Sequence, residues 1–169
     1  MRCPASLLNL MKCAAKFAQK PTRNALYHVE LEYLHVYVDG YRATICATDS
    51  MKMIEISCDL PIHLEDGLHM FRLVGDELID DFESCNSFQL DKHAFDKLIP
   101  DSLASDKLCG ACGFDPAILG EVCAAIKTLG KNAHLWFQFN GAHAARFDVT
   151  GFPGDVAAVG CLMPLMKRQ

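Results

Sequence analysis

No stretch of this 169-residue sequence approaches the ~20 consecutive apolar residues that a membrane-spanning helix needs, although 51% of the residues are hydrophobic. The opening MRCPASLLNLMKCAAKFAQ lacks the apolar centre of a secretory leader, because Asn9, Lys12 and Lys16 interrupt it. A glycine-rich phosphate loop, a nucleophile elbow and a His-Glu-x-x-His pair are all missing, and no spacing couples the Ser, His and Asp residues. These absences predict a soluble, cytoplasmic, non-enzymatic protein. Charged residues make up 22% of the chain, an ordinary globular share, and the length fits a single domain over residues 1–169.

Cysteine, by contrast, is plentiful: nine, an odd number, mostly set in apolar stretches such as 44–47 and 122–126, where free thiols act as small hydrophobes. Only Cys109 and Cys112 have ligand or redox spacing. No second pair completes a zinc site, and the helix that follows them is capped beyond them, at Asp115. The expectation is therefore no metal and no cofactor, with a thiol or metal protein centred on Cys109 and Cys112 as the third-ranked alternative.

Acidic residues are absent from the first 24 positions, which hold Arg2, Lys12, Lys16, Lys20 and Arg23, whereas residues 55–107 hold 13 acids and four bases. This split underlies the net charge of −5. It fits either unequally solvated faces or a protein that turns one basic surface to a polyanion.

Two amphipathic helices are predicted. The first runs about Leu7 to Lys20 and ends before Pro21. Leu7, Met11, Ala14, Ala15 and Ala18 share one face, with Lys12, Lys16 and Lys20 opposite. The second has Asp115 as N-cap, Pro116 in its first turn and Gly130 as C-cap. Its apolar stripe is Ile118, Val122, Ala125, Ile126 and Leu129, backed by Gly120, Ala124, Lys127 and Lys131. Strand-like sequence follows each: 25–38, 41–47 and 51–58 after the first, with a hairpin signal at Asp39-Gly40, then 134–139, 144–149 and 156–163 after the second. The pattern is a helix plus three strands, twice: half 1 over about 1–58, a connecting segment 59–106 and half 2 over about 107–169. Within the connector, 69–73 and 87–90 read as strands and 76–82 as a helical turn, and the five acids of 76–83 read as a solvated surface.

Ala47-Thr48-Asp49-Ser50-Met51-Lys52 resembles the ATDGHR motif of the bacterial DNA polymerase III beta sliding clamps. Phe114-Asp115-Pro116 through Gly130 is similar to the FNPKYL segment that opens the clamp's last helix. Leu162-Met163-Pro164-Leu165-Met166-Lys167-Arg168 is similar to VMPMRL, and 95–100 (FDKLIP) more weakly to FPDYRRVIP. Together the motifs cover roughly two thirds of the chain and resemble a small, single-domain clamp of the mobile-element kind. Ser50-Met51 in place of Gly-His puts the turn conformation there in question, and Met166 stands where the clamps end in Arg.

The resemblance implies an α+β DNA-clamp fold, with both helices on one side of an antiparallel sheet and facing DNA. It implies sequence-independent contact with double-stranded DNA through Lys12, Lys16, Lys20, Arg23, Lys127 and Lys131. It also implies a partner-peptide cleft at Met163, Pro164, Leu165 and Met166 for a DNA polymerase or other replication proteins. Clamp rings hold six such domains, so the resemblance implies a homo-oligomeric ring of about six copies, or a host partner. A clamp-fold module that binds replication proteins or a host clamp without encircling DNA is the alternative.

Overall fold

The computed structural model describes residues 5–20, 29–61, 64–80, 95, 97–101, 113–139, 144–152 and 156–164. Their strands are β1 (Leu34–Asp39), β2 (Arg42–Thr48), β3 (Lys52–Asp59), β4 (Gly67–Val74), β5 (Glu77–Asp80), β6 (His134–Gln138), β7 (Ala145–Thr150) and β8 (Ala157–Leu162). They form one eight-stranded sheet in the order β5-β4-β1-β2-β3-β8-β7-β6, antiparallel at every step. The two halves meet where β3 pairs with β8, with Ile54 opposite Gly160 and Ile56 opposite Ala158.

Helices α1 (Ala5–Ala15) and α2 (Pro116–Lys127) both pack on one face of this sheet. Period-2 alternation sends Val36, Ile45, Ile54, Ile56, Phe147 and Leu162 to that face, where they meet Leu7, Met11 and Phe17 from the first helical segment and Val122, Ala125 and Ile126 from α2. The opposite face is covered locally: Phe95, 1% exposed, packs on Cys46, Met53 and Cys161, with its ring 5.2 Å from that of His35. Arg146 anchors this crossing segment by donating from Nη1 to the Pro100 carbonyl at 2.9 Å. None of the helices among the described residues is long and apolar enough to cross a membrane.

The turns follow local chemistry. β1 and β2 join through Gly40-Tyr41 and β4 and β5 through Gly75-Asp76, each two-residue turn starting with a glycine at positive φ (+60° and +62°). The second hairpin corrects the helical turn expected at 76–82, because Gly75 reverses the chain and Leu78 turns inward. β4 and β5 thus extend the sheet from what reads in sequence as a connector. The strand expected at 87–90 lies outside the described residues.

The expected first helix is also shorter. After Ala15 the chain tightens into i→i−3 turns (Lys16 N–H to Cys13 O, Phe17 N–H to Ala14 O) that bury Phe17 completely. Gln19 N–H then goes to Leu31 O, on a 3-10 turn at Val29–Glu32 where the sequence suggests strand. Asp115 and Pro116 cap α2 as expected, with Asp115 Oδ1 accepting from Ala117 N–H at 2.8 Å. The C-cap is Thr128 rather than Gly130: its backbone N–H and its hydroxyl both bond to the Ala125 carbonyl.

Candidate functional site

Where the first helical segment ends against α2, a cleft of about 550 Å³ opens, lined by Lys16, Gln19, Lys20, Asp49, Lys52 and Glu121 among others. The segment from Thr48 to Lys52 forms its floor through a closed hydrogen-bond set. Thr48 Oγ1 donates to Lys52 O (2.9 Å) and accepts from Ser50 N–H (3.1 Å). Asp49 Oδ1 accepts from the N–H groups of Met51 and Lys52 at 3.0 and 2.9 Å. Lys52 is 5% exposed, and its ammonium is held by Asp49 and, at 2.8 Å, by Glu121 of α2. Burial opposes that charge, but the hydrogen bonds and attraction of the two carboxylates outweigh it and lift the Lys52 pKa above its usual 10.5. Lys52 thus ties the start of β3 to α2 as a structural cation.

The expected cations separate into groups. Lys16 and Lys20 share this cleft, and Lys16 Nζ lies 3.4 Å from the Ala124 carbonyl. Neither rides on α1, because the helix stops at Ala15; this corrects the single helical stripe. Lys12 is on α1 but is ion-paired to Asp76 in the β4–β5 turn. Lys127 and Lys131 are exposed at and beyond the end of α2. Among the described residues Lys20, Lys127 and Lys131 make no ion pair. Arg23, Leu165, Met166, Cys109 and Cys112 lie outside the described residues. Met163 is 47% exposed beside Met51, whose carbonyl accepts its N–H at 2.9 Å, and Pro164 is half-buried.

Among the described cysteines, Cys13, Cys46, Cys58 and Cys161 are buried and Cys123 is exposed. Burial pushes Cys13 to about 12, against the lowering pull of a Thr128 hydrogen bond and of Lys16, and pushes Cys161 to about 11. These thiols stay protonated and unreactive at neutral pH. No group of three His, Cys, Asp or Glu side chains among the described residues could hold a metal ion.

No protein-family model and no curated protein sequence matches the chain. Solved structures do. The DNA polymerase sliding clamp of Bacillus subtilis superposes with a TM-score of 0.52 and 13% identity over 98% of this chain. The beta subunit of the Streptococcus pyogenes DNA polymerase gives 0.53 and 13% over 95%, and the DNA polymerase III beta chain of Streptococcus pneumoniae 0.51 and 11% over 95%. The fold is that of a bacterial sliding clamp. The chain spans 64%, 64% and 63% of the lengths of these three clamps.

The clamp fold places the ATD-like segment at the β2–β3 turn, under the helices. Ser50, where the clamp motif has glycine, takes a φ of +74°, so this turn holds a serine in the left-handed region. Relief of that strain is worth roughly 1 kcal/mol, partly offset by the entropy of a more flexible unfolded chain. Ser50→Gly is therefore expected to raise the stability by about 0.5 kcal/mol, and Ser50→Val to lower it, in urea unfolding. Sequence reasoning reached Lys52 only as part of a motif and missed Glu121, because their ion pair joins residues 69 positions apart.

Proposed function

We propose that this clamp-fold protein is a non-enzymatic DNA sliding clamp or clamp-like processivity accessory acting in the cytoplasm. It holds double-stranded DNA without reading its sequence and recruits a DNA polymerase or other replication proteins. The observation that carries this reading is the presence of Lys16 and Lys20 in the cleft beside α2 and of exposed Lys127 on α2 itself, on the helix side of a clamp-fold sheet, with exposed Lys131 shortly after α2. Flexible ammonium groups there would meet phosphates and leave base edges unread, as sliding requires. Lys12 and Lys52 contribute less, since acids already partner them. The whole chain acts as one clamp domain, and encircling DNA requires several copies or a host partner.

Binding to a random-sequence duplex, followed by anisotropy across a salt series, tests this. Affinity is expected to fall steeply with salt, and each Lys→Ala change at the four positions to make the log–log slope shallower by about 0.9. Lys12→Ala is expected to change it less. Salt-insensitive binding, or none, removes the DNA-clamp reading.

The exposure of both Met51 and Met163, which are joined by the Met163 N–H bond to the Met51 carbonyl, favours a second reading, a module that takes a short peptide from a replication protein at that end of the sheet. It predicts a heteromeric complex that is indifferent to the four lysine changes.

A further inference from the structure

The cleft between the first helical segment and α2 holds more hydrogen-bond donors than the fold itself uses. Lys52 is 5% exposed, and Asp49 and Glu121 take two of its three ammonium protons. The third has no acceptor among the described residues. Gln19, half-buried, lines the same cleft. Its backbone N–H is given to Leu31, while its side-chain amide makes no hydrogen bond among the described residues. Lys16 and Lys20 add two exposed ammonium groups, of which only Lys16 has a contact, the long one of 3.4 Å to the Ala124 carbonyl. Between these polar groups the walls are Ala15, Ala18 and Ala124, whose short side chains leave the 550 Å³ open. Small-molecule sites span roughly 300–1,000 Å³. The carboxylates are largely engaged already. Asp49 Oδ1 accepts from two backbone N–H groups, and Asp49 Oδ2 and Glu121 Oε2 accept from the ammonium, so Glu121 Oε1 alone remains open.

We infer that this cleft binds a nucleoside 5′-monophosphate group, free in solution or at the end of a DNA strand. A phosphate monoester carries close to two negative charges and three terminal oxygens at neutral pH. Lys16, Lys20, the third Lys52 proton and the Gln19 amide supply donors for all three. Three cations against two carboxylates leave one positive charge in the cleft, which favours an anion there. A phosphodiester within a strand offers only two free oxygens and has a sugar on either side. It therefore meets exposed lysines without entering a cleft that the 48–52 turn closes from below. The alanine walls give the nucleoside an apolar bed, and Glu121 Oε1 accepts from a ribose hydroxyl or a base amino group. The inference stands on the cleft alone, although Lys16 and Lys20 also belong to the proposed duplex contact.

Amide chemical shifts of the isotope-labelled full chain, titrated with AMP, adenosine and dimethyl phosphate, test this. AMP is expected to move the amides of Gln19, Lys20, Lys52 and Glu121 to saturation, and the other two compounds to leave them in place. Ala124→Leu fills the cleft without changing its charge, and Gln19→Met removes the amide at similar volume. Each is expected to weaken AMP binding by roughly 10-fold or more, and Ala124→Leu to leave the salt dependence of duplex binding unchanged. If Ala124→Leu fails to fold, judged by circular dichroism, Gln19→Met decides. A hairpin oligonucleotide with and without its 5′-phosphate separates the two sources. Shifts with AMP alone assign the free nucleotide, and shifts that need the hairpin's 5′-phosphate assign the strand end. No phosphate-dependent shift with either, equal shifts with adenosine or dimethyl phosphate, or binding untouched by both substitutions overturns the inference. Loss of duplex binding with AMP binding intact counts against the clamp reading alone.

Discussion

Gly160→Ala is expected to cost roughly 3 kcal/mol of stability, and Gly160→Val to leave no folded protein. Gly160 lies in β8 between Ile54 of β3 and Phe147 of β7. A Cβ added there would come within 2.2 Å of the Met53 carbonyl oxygen and 2.2 Å of the Phe147 ring. Neither neighbour can retreat cheaply. The carbonyl belongs to the strand backbone, and the Phe147 ring is fully buried between Phe17 (6.1 Å) and Phe137 (5.9 Å). Overpacking usually costs 1–3 kcal/mol, and a clash with both backbone and a locked ring belongs at or above the top of that range. Urea unfolding measures the loss. Adding Phe147→Leu is expected to recover only part of it, since the contact with Met53 remains. An alanine variant as stable as the parent would mean that β7 and β8 do not pack as described.

Lys52→Met is expected to lower stability by roughly 2 kcal/mol, because removing one member of a buried ion pair strands its partners. This loss is smaller than is usual for a broken buried pair, for two reasons. Glu121 is half-exposed, so water screens its share of the attraction. Asp49 keeps its bonds to the Met51 and Lys52 N–H groups after the ammonium is gone. The sign with pH follows from the raised Lys52 pKa. Its contribution is whole below the usual 10.5 and fades only as alkaline pH rises through the higher folded value. The gap between parent and Lys52→Met in urea melts is thus expected to stay constant across neutral pH. Because Lys52 joins β3 to α2, the variant is also expected to loosen the cleft that holds Lys16 and Lys20.

The parts of this fold that are written locally are legible without coordinates. Alternation fixes β2, β3, β7 and β8 to within a residue or two, because one face of each is buried and the period of side chains along a strand is two. Asp115 and Pro116 mark the start of α2 because capping is a contact between near neighbours in sequence. The run at 76–82 misleads because its acids carry no periodicity, and Gly75 with the pairing to β4 decides its form.

The candidate site is legible as a set of residue types and not as a geometry. The apolar face of the first helical segment is evident from residue 7 to residue 18. Yet the helix ends at Ala15, because burying Phe17 and bonding Gln19 to Leu31 outweigh one more helical turn. That ending is what parts Lys16 and Lys20 from Lys12. The sequence by itself determined β2, β3, β6, β7 and β8, the N-terminal cap of α2, the basic start and the acidic middle, all of which depend on neighbours a few positions apart. Only the tertiary structure decided which cations are spent on Asp76, Asp49 and Glu121, and which face Phe95 covers. Each of these rests on a contact between distant residues, whose partner is fixed by how the whole sheet assembles.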